Sequence, residues 1–203
     1  MRIYGTSRAA AGWAIVFVVL LLLSAAMVTL PSASQTGDRI AAFYAAHGQV
    51  IVIQQIVGVI ALAAFVVFAL SLPANRWLRL ALWIFVGTEL ATNVVPLIIL
   101  GNTHSPVAAR TWTLVEDVAD TALSVAIAIF VVAVTLGKPT WLRVTGYVVA
   151  ALNVIHGIGS LFGFSALDAV APIAFVAFML LLSARLLRRR ASAGEAGVAG
   201  DLR

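Results

Sequence analysis

The chain alternates between long apolar runs and short polar stretches, and this alternation predicts six membrane-spanning helices. Each run has about 19 to 25 residues, which is enough for a helix to cross the hydrocarbon core of a bilayer. The runs cover residues 12–30, 49–72, 78–100, 112–136, 144–164 and 166–187. The first run could instead be the core of a signal peptide, but its length favours a retained helix.

The polar stretches between these runs complete the predicted architecture. Residues 38–44 carry apolar side chains at helical spacing, which indicates a short helix lying at the membrane surface between spans one and two. We therefore expect an all-α, polytopic bundle formed as a single domain by residues 1–190. The Gly-, Ala- and Ser-rich residues 191–203 are expected to form a disordered cytoplasmic tail.

Composition excludes a soluble protein. The chain is 63% hydrophobic and only 10% charged, whereas a globular surface in water needs far more charge. It contains no cysteine, which rules out disulfides, thiolate metal sites, iron–sulfur clusters and cysteine nucleophiles. The net charge of +5 does not indicate nucleic-acid binding, because most basic residues lie at span ends and in the terminal tail.

The basic residues also predict the orientation of the bundle. If the amino terminus is cytoplasmic, all but two of the thirteen Lys and Arg residues lie on the cytoplasmic side, and only Arg39 and Arg110 face outward. Such a bias is the positive-inside pattern. We therefore expect a bacterial inner-membrane protein with both termini in the cytoplasm.

Carboxylates inside the predicted spans are the strongest chemical signal. Glu89 lies in span three, and Glu116, Asp117 and Asp120 lie in span four with no basic residue beside them. A carboxylate in hydrocarbon costs about 2.5–3.5 kcal/mol on insertion scales, so such residues usually face a bundle interior and mark function. Crowding and poor solvation should leave at least one of the four protonated at neutral pH.

Helical spacing predicts that these groups share a cavity with other polar side chains. Glu89 and Asn93 are four residues apart, as are Glu116 and Asp120, and Asn153 and His156 are three apart, so each pair shares a helix face. Together with Gln54 and Gln55 of span two, they all lie between the membrane midplane and the outer face. We therefore expect four helices to line one outward-opening cavity.

Simpler explanations exist for several of these residues. Glu116 and Asp117 are near a helix amino terminus, where carboxylates interact favourably with the helix dipole. The amides Asn93, Asn153 and Gln54 could hold helices together. Trp112 could be an interfacial anchor or line the cavity and stabilise a cation with its ring. His156 could act in acid–base chemistry or bind metal, but the spacing matches no metal motif, so we predict no metal and no cofactor.

The segment Asp38-x-x-x-x-Phe43-Tyr44-x-x-His47 before span two resembles that of small multi-pass membrane proteins of actinobacteria. The acidic set in an apolar bundle (Glu89, Glu116, Asp117 and Asp120) resembles the integral-membrane terpene cyclases of meroterpenoid pathways. In that family intramembrane acids protonate an epoxide or alkene of a prenyl chain. The fungal members have seven spans, whereas six are predicted here.

These observations support an intramembrane enzyme for a lipophilic, isoprenoid-type substrate, of the isomerase or lyase type. Asp120 or Glu89 would donate a proton, while Glu116, Asp117 and His156 tune the acid or accept a proton. Asn93 and Asn153, with Gln54 and Trp112, would bind the substrate. Two alternatives use the same residues: a proton-coupled transporter or ligand-binding membrane protein, and a non-catalytic accessory subunit. Partners other than substrate and membrane lipid, and the oligomeric state, are left open.

Overall fold

The computed structural model describes residues 7–73, 75–164 and 166–200, and this part of the chain contains six helices and no strand. All six are long and apolar enough to cross a membrane, so the chain is a multi-pass membrane protein and the predicted fold class is confirmed. The helices are α1 (Ser7–Met27), α2 (Gly37–Leu70), α3 (Arg76–Gly101), α4 (Pro106–Thr135), α5 (Thr140–Leu161) and α6 (Val170–Gly200).

Short connections place consecutive helices side by side, because a chain that leaves one helix and turns at once must return along it. Contacts between α1 and α6 close the ring, and α2 also touches α4 across it. We call the end that contains residues 28–36, 102–105 and 162–169 the acidic end. The opposite end, which contains residues 71–75 and 136–139, is the basic end.

The main core contains a cluster of phenylalanine rings. Phe65 of α2 is fully buried, and its ring centroid lies 5.0 Å from that of Phe17, 4.3 Å from Phe85 and 4.7 Å from Phe130. Phe175 of α6 completes the cluster, with its centroid 6.1 Å from Phe17 and 6.4 Å from Phe85. Such tilted and stacked pairs are favourable beyond the area that they bury. The rings hold five helices together.

Helix α2 differs from the prediction, because residues 38–44 do not form a separate surface helix. They are the first turns of one continuous 34-residue helix, about 51 Å long. Gly48 does not break it, since one glycine inside a helix costs only about 1 kcal/mol. The buried residues Ile40, Tyr44 and Ile51 pack against α3 and α4 in a second, smaller core at the acidic end, and this packing keeps the segment helical.

Helices α4 and α6 also extend beyond their predicted limits. Ser105 caps α4 by accepting a hydrogen bond from the Ala108 amide, and Pro106 occupies the first turn, so the helix begins where a loop was expected. Glu116 and Asp117 therefore lie in the fourth turn. The backbone of α6 is helical to Gly200. The disordered tail expected for residues 191–203 stays a prediction, and residues 201–203 lie outside the described part.

Candidate functional site

A cavity of about 510 Å³ lies inside the bundle, in the half nearer the acidic end. Five helices line it, namely α1, α3, α4, α5 and α6. Its volume falls in the range of about 300–1,000 Å³ that is typical of small-molecule sites. Most of its wall is apolar, so the cavity suits a lipophilic molecule.

The few polar groups of this cavity are those that the sequence singled out. Glu89 of α3, Asp120 of α4, and Asn153 and His156 of α5 all contribute to its wall. Asp120 is accessible because it borders open cavity space on two sides. The prediction that Glu89 and Asp120 face a common space, rather than lipid, is therefore consistent with the structure.

Aromatic rings face the same space. Phe17, Phe85 and Phe175, from α1, α3 and α6, line the cavity and belong to the phenylalanine cluster of the main core. Phe85 precedes Glu89 by one helical turn and lies nearer the basic end. The cavity thus has carboxyl and imidazole groups toward the acidic end and a floor of aromatic faces below them.

A second, polar cavity of about 430 Å³ lies above the first, and we call it the vestibule. Asp120 and His156 border both cavities, so they stand at the boundary between them. Two of the three connecting segments at the acidic end, the one between α1 and α2 and the one between α5 and α6, supply most of the remaining vestibule wall, including Asp168. Asp117 of α4 and Ser160 of α5 complete it. A proton or a polar group of a ligand can therefore reach Asp120 from the acidic end of the molecule.

Asn93 supports Glu89 rather than lining the cavity. Its Nδ2 donates to the backbone oxygen of Glu89 at 2.7 Å and to Glu89 Oε1 at 3.3 Å. The Asn93 side chain is buried against Gly58 of α2, where a larger residue would collide with it. Asn93 was predicted to bind substrate, but the geometry makes it a residue that positions the Glu89 carboxyl.

Asn153 reaches the cavity because α4 and α5 pack closely. A Cβ atom on Gly157 would lie 2.6 Å from the Ser124 Cβ, so only glycine permits this approach. Thr121 Oγ1 donates to the Gly157 backbone oxygen at 3.0 Å and ties the two helices together. Asn153 is almost fully buried, and its Nδ2 donates to the Val149 oxygen at 2.9 Å within α5. The close packing of α4 on α5 also sets the position of His156, which follows Asn153 by three residues.

Glu116 lies outside both cavities, contrary to its predicted place in the shared site. It is 5% exposed and accepts a hydrogen bond from the Tyr44 hydroxyl at 3.1 Å. Glu116 lies one turn closer to the acidic end than Asp120, at the level where the unpredicted extension of α2 covers α4. The pair joins α2 to α4, which is a structural role.

Tyr44→Phe is expected to destabilise the bundle by about 1–3 kcal/mol, because it leaves the buried Glu116 carboxyl without its donor. Thermal unfolding of the purified protein in detergent would measure the loss. Tyr147→Phe is the matched control, since Tyr147 is 47% exposed. Equal stability of the two variants would show that the Tyr44–Glu116 bond does not hold α2 against α4.

Asp117 holds the loop between α1 and α2 over the vestibule. Its Oδ2 accepts a hydrogen bond from the Ala33 backbone amide at 3.2 Å. Ser32 and Ser34, on either side of Ala33, contribute to the vestibule wall. Asp117 was predicted to be catalytic, but its contacts place it at the entrance, one cavity away from Glu89.

His156 faces a carboxylate that sequence reasoning missed. Its Nδ1 lies 3.4 Å from Asp168 Oδ1, although the angles do not make a hydrogen bond. Asp168 precedes α6 and is largely exposed to the vestibule. The available signal was an acidic residue in the first turn of the sixth predicted span, on the same side of the membrane as the other carboxylates.

Gln54 and Trp112 do not line either cavity. Gln54 Nε2 donates to the backbone oxygens of Ser24 and Val28 at 3.0 Å each, so it connects α2 to α1. Trp112 packs against the second core at the acidic end. The expectation that span two contributes to the cavity is therefore wrong, and α1 and α6 supply the walls instead.

The described residues include no group of three His, Asp or Glu side chains arranged to hold a metal ion. What the arrangement offers is proton chemistry: the Asp120 carboxyl group and the His156 imidazole stand at the boundary between the vestibule and the apolar cavity, and the Glu89 carboxyl group lies in the cavity itself. No family model matches the sequence, and neither a curated protein nor a solved structure shows significant similarity to it.

Proposed function

We propose that this protein is an intramembrane enzyme that uses Asp120 and Glu89 for acid-initiated cyclisation or isomerisation of a lipophilic, isoprenoid-type substrate. The observation that carries the proposal is the shared cavity, in which these two carboxyl groups face an apolar space of about 510 Å³ with a phenylalanine floor. A carboxyl group that borders an apolar ligand cavity is suited to donate a proton to the ligand, and Asp120 can recover its proton from the vestibule.

The proposed reaction begins when the carboxyl group of Asp120 or Glu89 protonates an alkene carbon or an epoxide oxygen of the substrate. The resulting carbocation is attacked by an internal double bond, which closes a ring, or it rearranges. Loss of a proton from a neighbouring carbon to the carboxylate restores the acid directly. A proton accepted by His156 restores it after transfer from the imidazole to the carboxylate. The substrate and product have the same mass, so no co-reactant is needed.

The aromatic floor favours this chemistry over simple binding. The rings of Phe17, Phe85 and Phe175 line the cavity, and aromatic rings stabilise a nearby cation through their π-electrons without reacting with it. Water would quench the intermediate, and the largely apolar wall below Asp120 excludes it. Glu89 is further oriented by Asn93, which fixes one of its oxygens.

The distribution of charge supports an orientation for this enzyme. Eleven of the thirteen Lys and Arg residues lie at the basic end or in the terminal segments, and by the positive-inside rule this bias favours a cytoplasmic position for both termini. The vestibule and the acidic residues then lie toward the outer face of a bacterial inner membrane. A lipophilic substrate would enter the cavity from the outer leaflet.

A ligand-binding protein or proton-coupled carrier would use the same groups, and the open vestibule above Asp120 and His156 fits such a function. A carrier also needs access from the opposite face. Here the rings of Phe65, Phe85 and Phe130 fill the bundle between the cavity and the basic end. This packing favours an enzyme with a single entrance.

The proposal is tested by incubating the purified, detergent-solubilised protein with linear prenyl alcohols, prenylated aromatic compounds and their terminal epoxides. We expect a product of unchanged mass and different retention time from at least one class, and none from protein that has been heat-denatured. Mass spectrometry and NMR would identify the ring or the shifted double bond. Tight binding of these compounds with no conversion would support the ligand-binding alternative instead.

A further inference from the structure

A small pocket of about 170 Å³ lies at the basic end, far from the cavity described above. It is formed by the loop before α3, the turn between α4 and α5, and one face of α6. Its polar side chains are Asn75, Lys138 and Arg185, and its remaining walls are aliphatic residues and Pro73. Gly137, with φ of 70°, makes the tight turn that brings Lys138 to the pocket.

Arg185 has an unsatisfied group in this pocket. Its Nη1 atom is buried and has no hydrogen-bond partner. The guanidinium carbon lies 5.5 Å from the centroid of the Trp141 ring, which orients the group through a cation–π contact. A buried guanidinium donor that lacks an acceptor is costly, so an acceptor supplied by a ligand would stabilise it.

Acidic groups are missing from the described wall of this pocket. Among the residues whose side chains the structure describes, no carboxylate lines it. The acidic residues with described side chains all lie at the middle of the bundle or at the acidic end, and they are Asp38, Glu89, Glu116, Asp117, Asp120 and Asp168.

We propose that this pocket binds the phosphate group of an anionic molecule, with the Arg185 guanidinium as its main ligand. The planar guanidinium matches phosphate geometry with paired donors, and Lys138 also lines the pocket. The backbone amide of Trp77 donates a hydrogen bond to Asn75 Oδ1, which fixes the orientation of the Asn75 side chain. The NH₂ group of this side chain is then a further donor at the pocket.

The depth of the pocket suits a lipid headgroup. Trp77 and Trp141 are both about half exposed at this end, as expected for an aromatic belt at the membrane interface. Basic pockets between transmembrane helices at this level bind acidic phospholipid headgroups. A soluble phosphate compound would offer the same chemistry from the aqueous side. This site is independent of the proposed reaction in the other half of the bundle.

The test compares phosphatidylglycerol, phosphatidylcholine and inorganic phosphate as ligands of the delipidated full-length protein in detergent, by native mass spectrometry and thermal unfolding. Phosphatidylglycerol should bind about tenfold more tightly than phosphatidylcholine, whose choline cation is repelled by Arg185 and Lys138. R185Q should remove this preference. If inorganic phosphate alone stabilises the wild type and not R185Q, the site takes a soluble phosphate.

R76Q is the matched control, because the Arg76 guanidinium carbon also lies over a tryptophan ring, 4.8 Å from the Trp77 centroid, but does not line the pocket. It should keep the preference for phosphatidylglycerol. R185K keeps the charge and should fold even if R185Q does not, and it should bind about threefold more weakly than the wild type because it lacks paired donors. Equal binding of phosphatidylglycerol and phosphate by the wild type and the Arg185 variants would overturn the proposal.

Discussion

Asp120→Asn is expected to lower the turnover of the cyclisation or isomerisation by about 10²–10⁴-fold while leaving substrate binding nearly unchanged. Asp120 borders both the vestibule and the apolar cavity, so its carboxyl group can be reprotonated from one side and donate on the other. Asparagine fills the same space but has no acidic proton. The measurement is kcat and KM for the substrate identified in the product screen, together with thermal unfolding to show that the variant folds.

Two further variants make this result specific. Glu89→Gln tests the second carboxyl group of the cavity. Whichever of Asp120→Asn and Glu89→Gln lowers kcat more identifies the proton donor. Asp38→Asn is the control, because Asp38 lies in the first turn of α2 and lines neither cavity. If Asp120→Asn and Glu89→Gln both turn over at the wild-type rate, the catalytic proposal is wrong and the cavity only binds its ligand.

Much of the fold could be predicted from hydrophobic length alone, because a bilayer demands helices that span about 30 Å. Helix boundaries were harder to predict, since they depend on partners. The first turns of α2 are amphipathic enough to lie on a membrane surface, yet they pack on α3 and α4 through Tyr44. Ser105 and Pro106 were a recognisable helix start, but they were interpreted as part of a loop.

The candidate site was predicted in part. Spacing correctly brought Glu89, Asp120, Asn153 and His156 to one cavity, because each lies on the interior face of its own helix. Glu116 lies on the same helix face as Asp120 but one turn closer to the acidic end, where α2 covers it. The sequence alone does not indicate which neighbouring helix covers a given turn. The phenylalanine floor was not predicted, because apolar residues inside and outside a membrane bundle look alike in sequence.

Phe65→Ala is expected to destabilise the protein by about 3–5 kcal/mol, the range for deleting a buried aromatic side chain. Phe65 is fully buried and stacks on Phe85 with centroids 4.3 Å apart, so its loss leaves a void directly behind the cavity floor. Chemical unfolding in mixed micelles measures the change, and Phe162→Ala, at an 83% exposed position, should cost under about 0.5 kcal/mol. The enlarged space should also loosen Phe85 and broaden the products formed. Wild-type stability in Phe65→Ala would mean that the ring cluster does not support the floor on which the carbocation proposal depends.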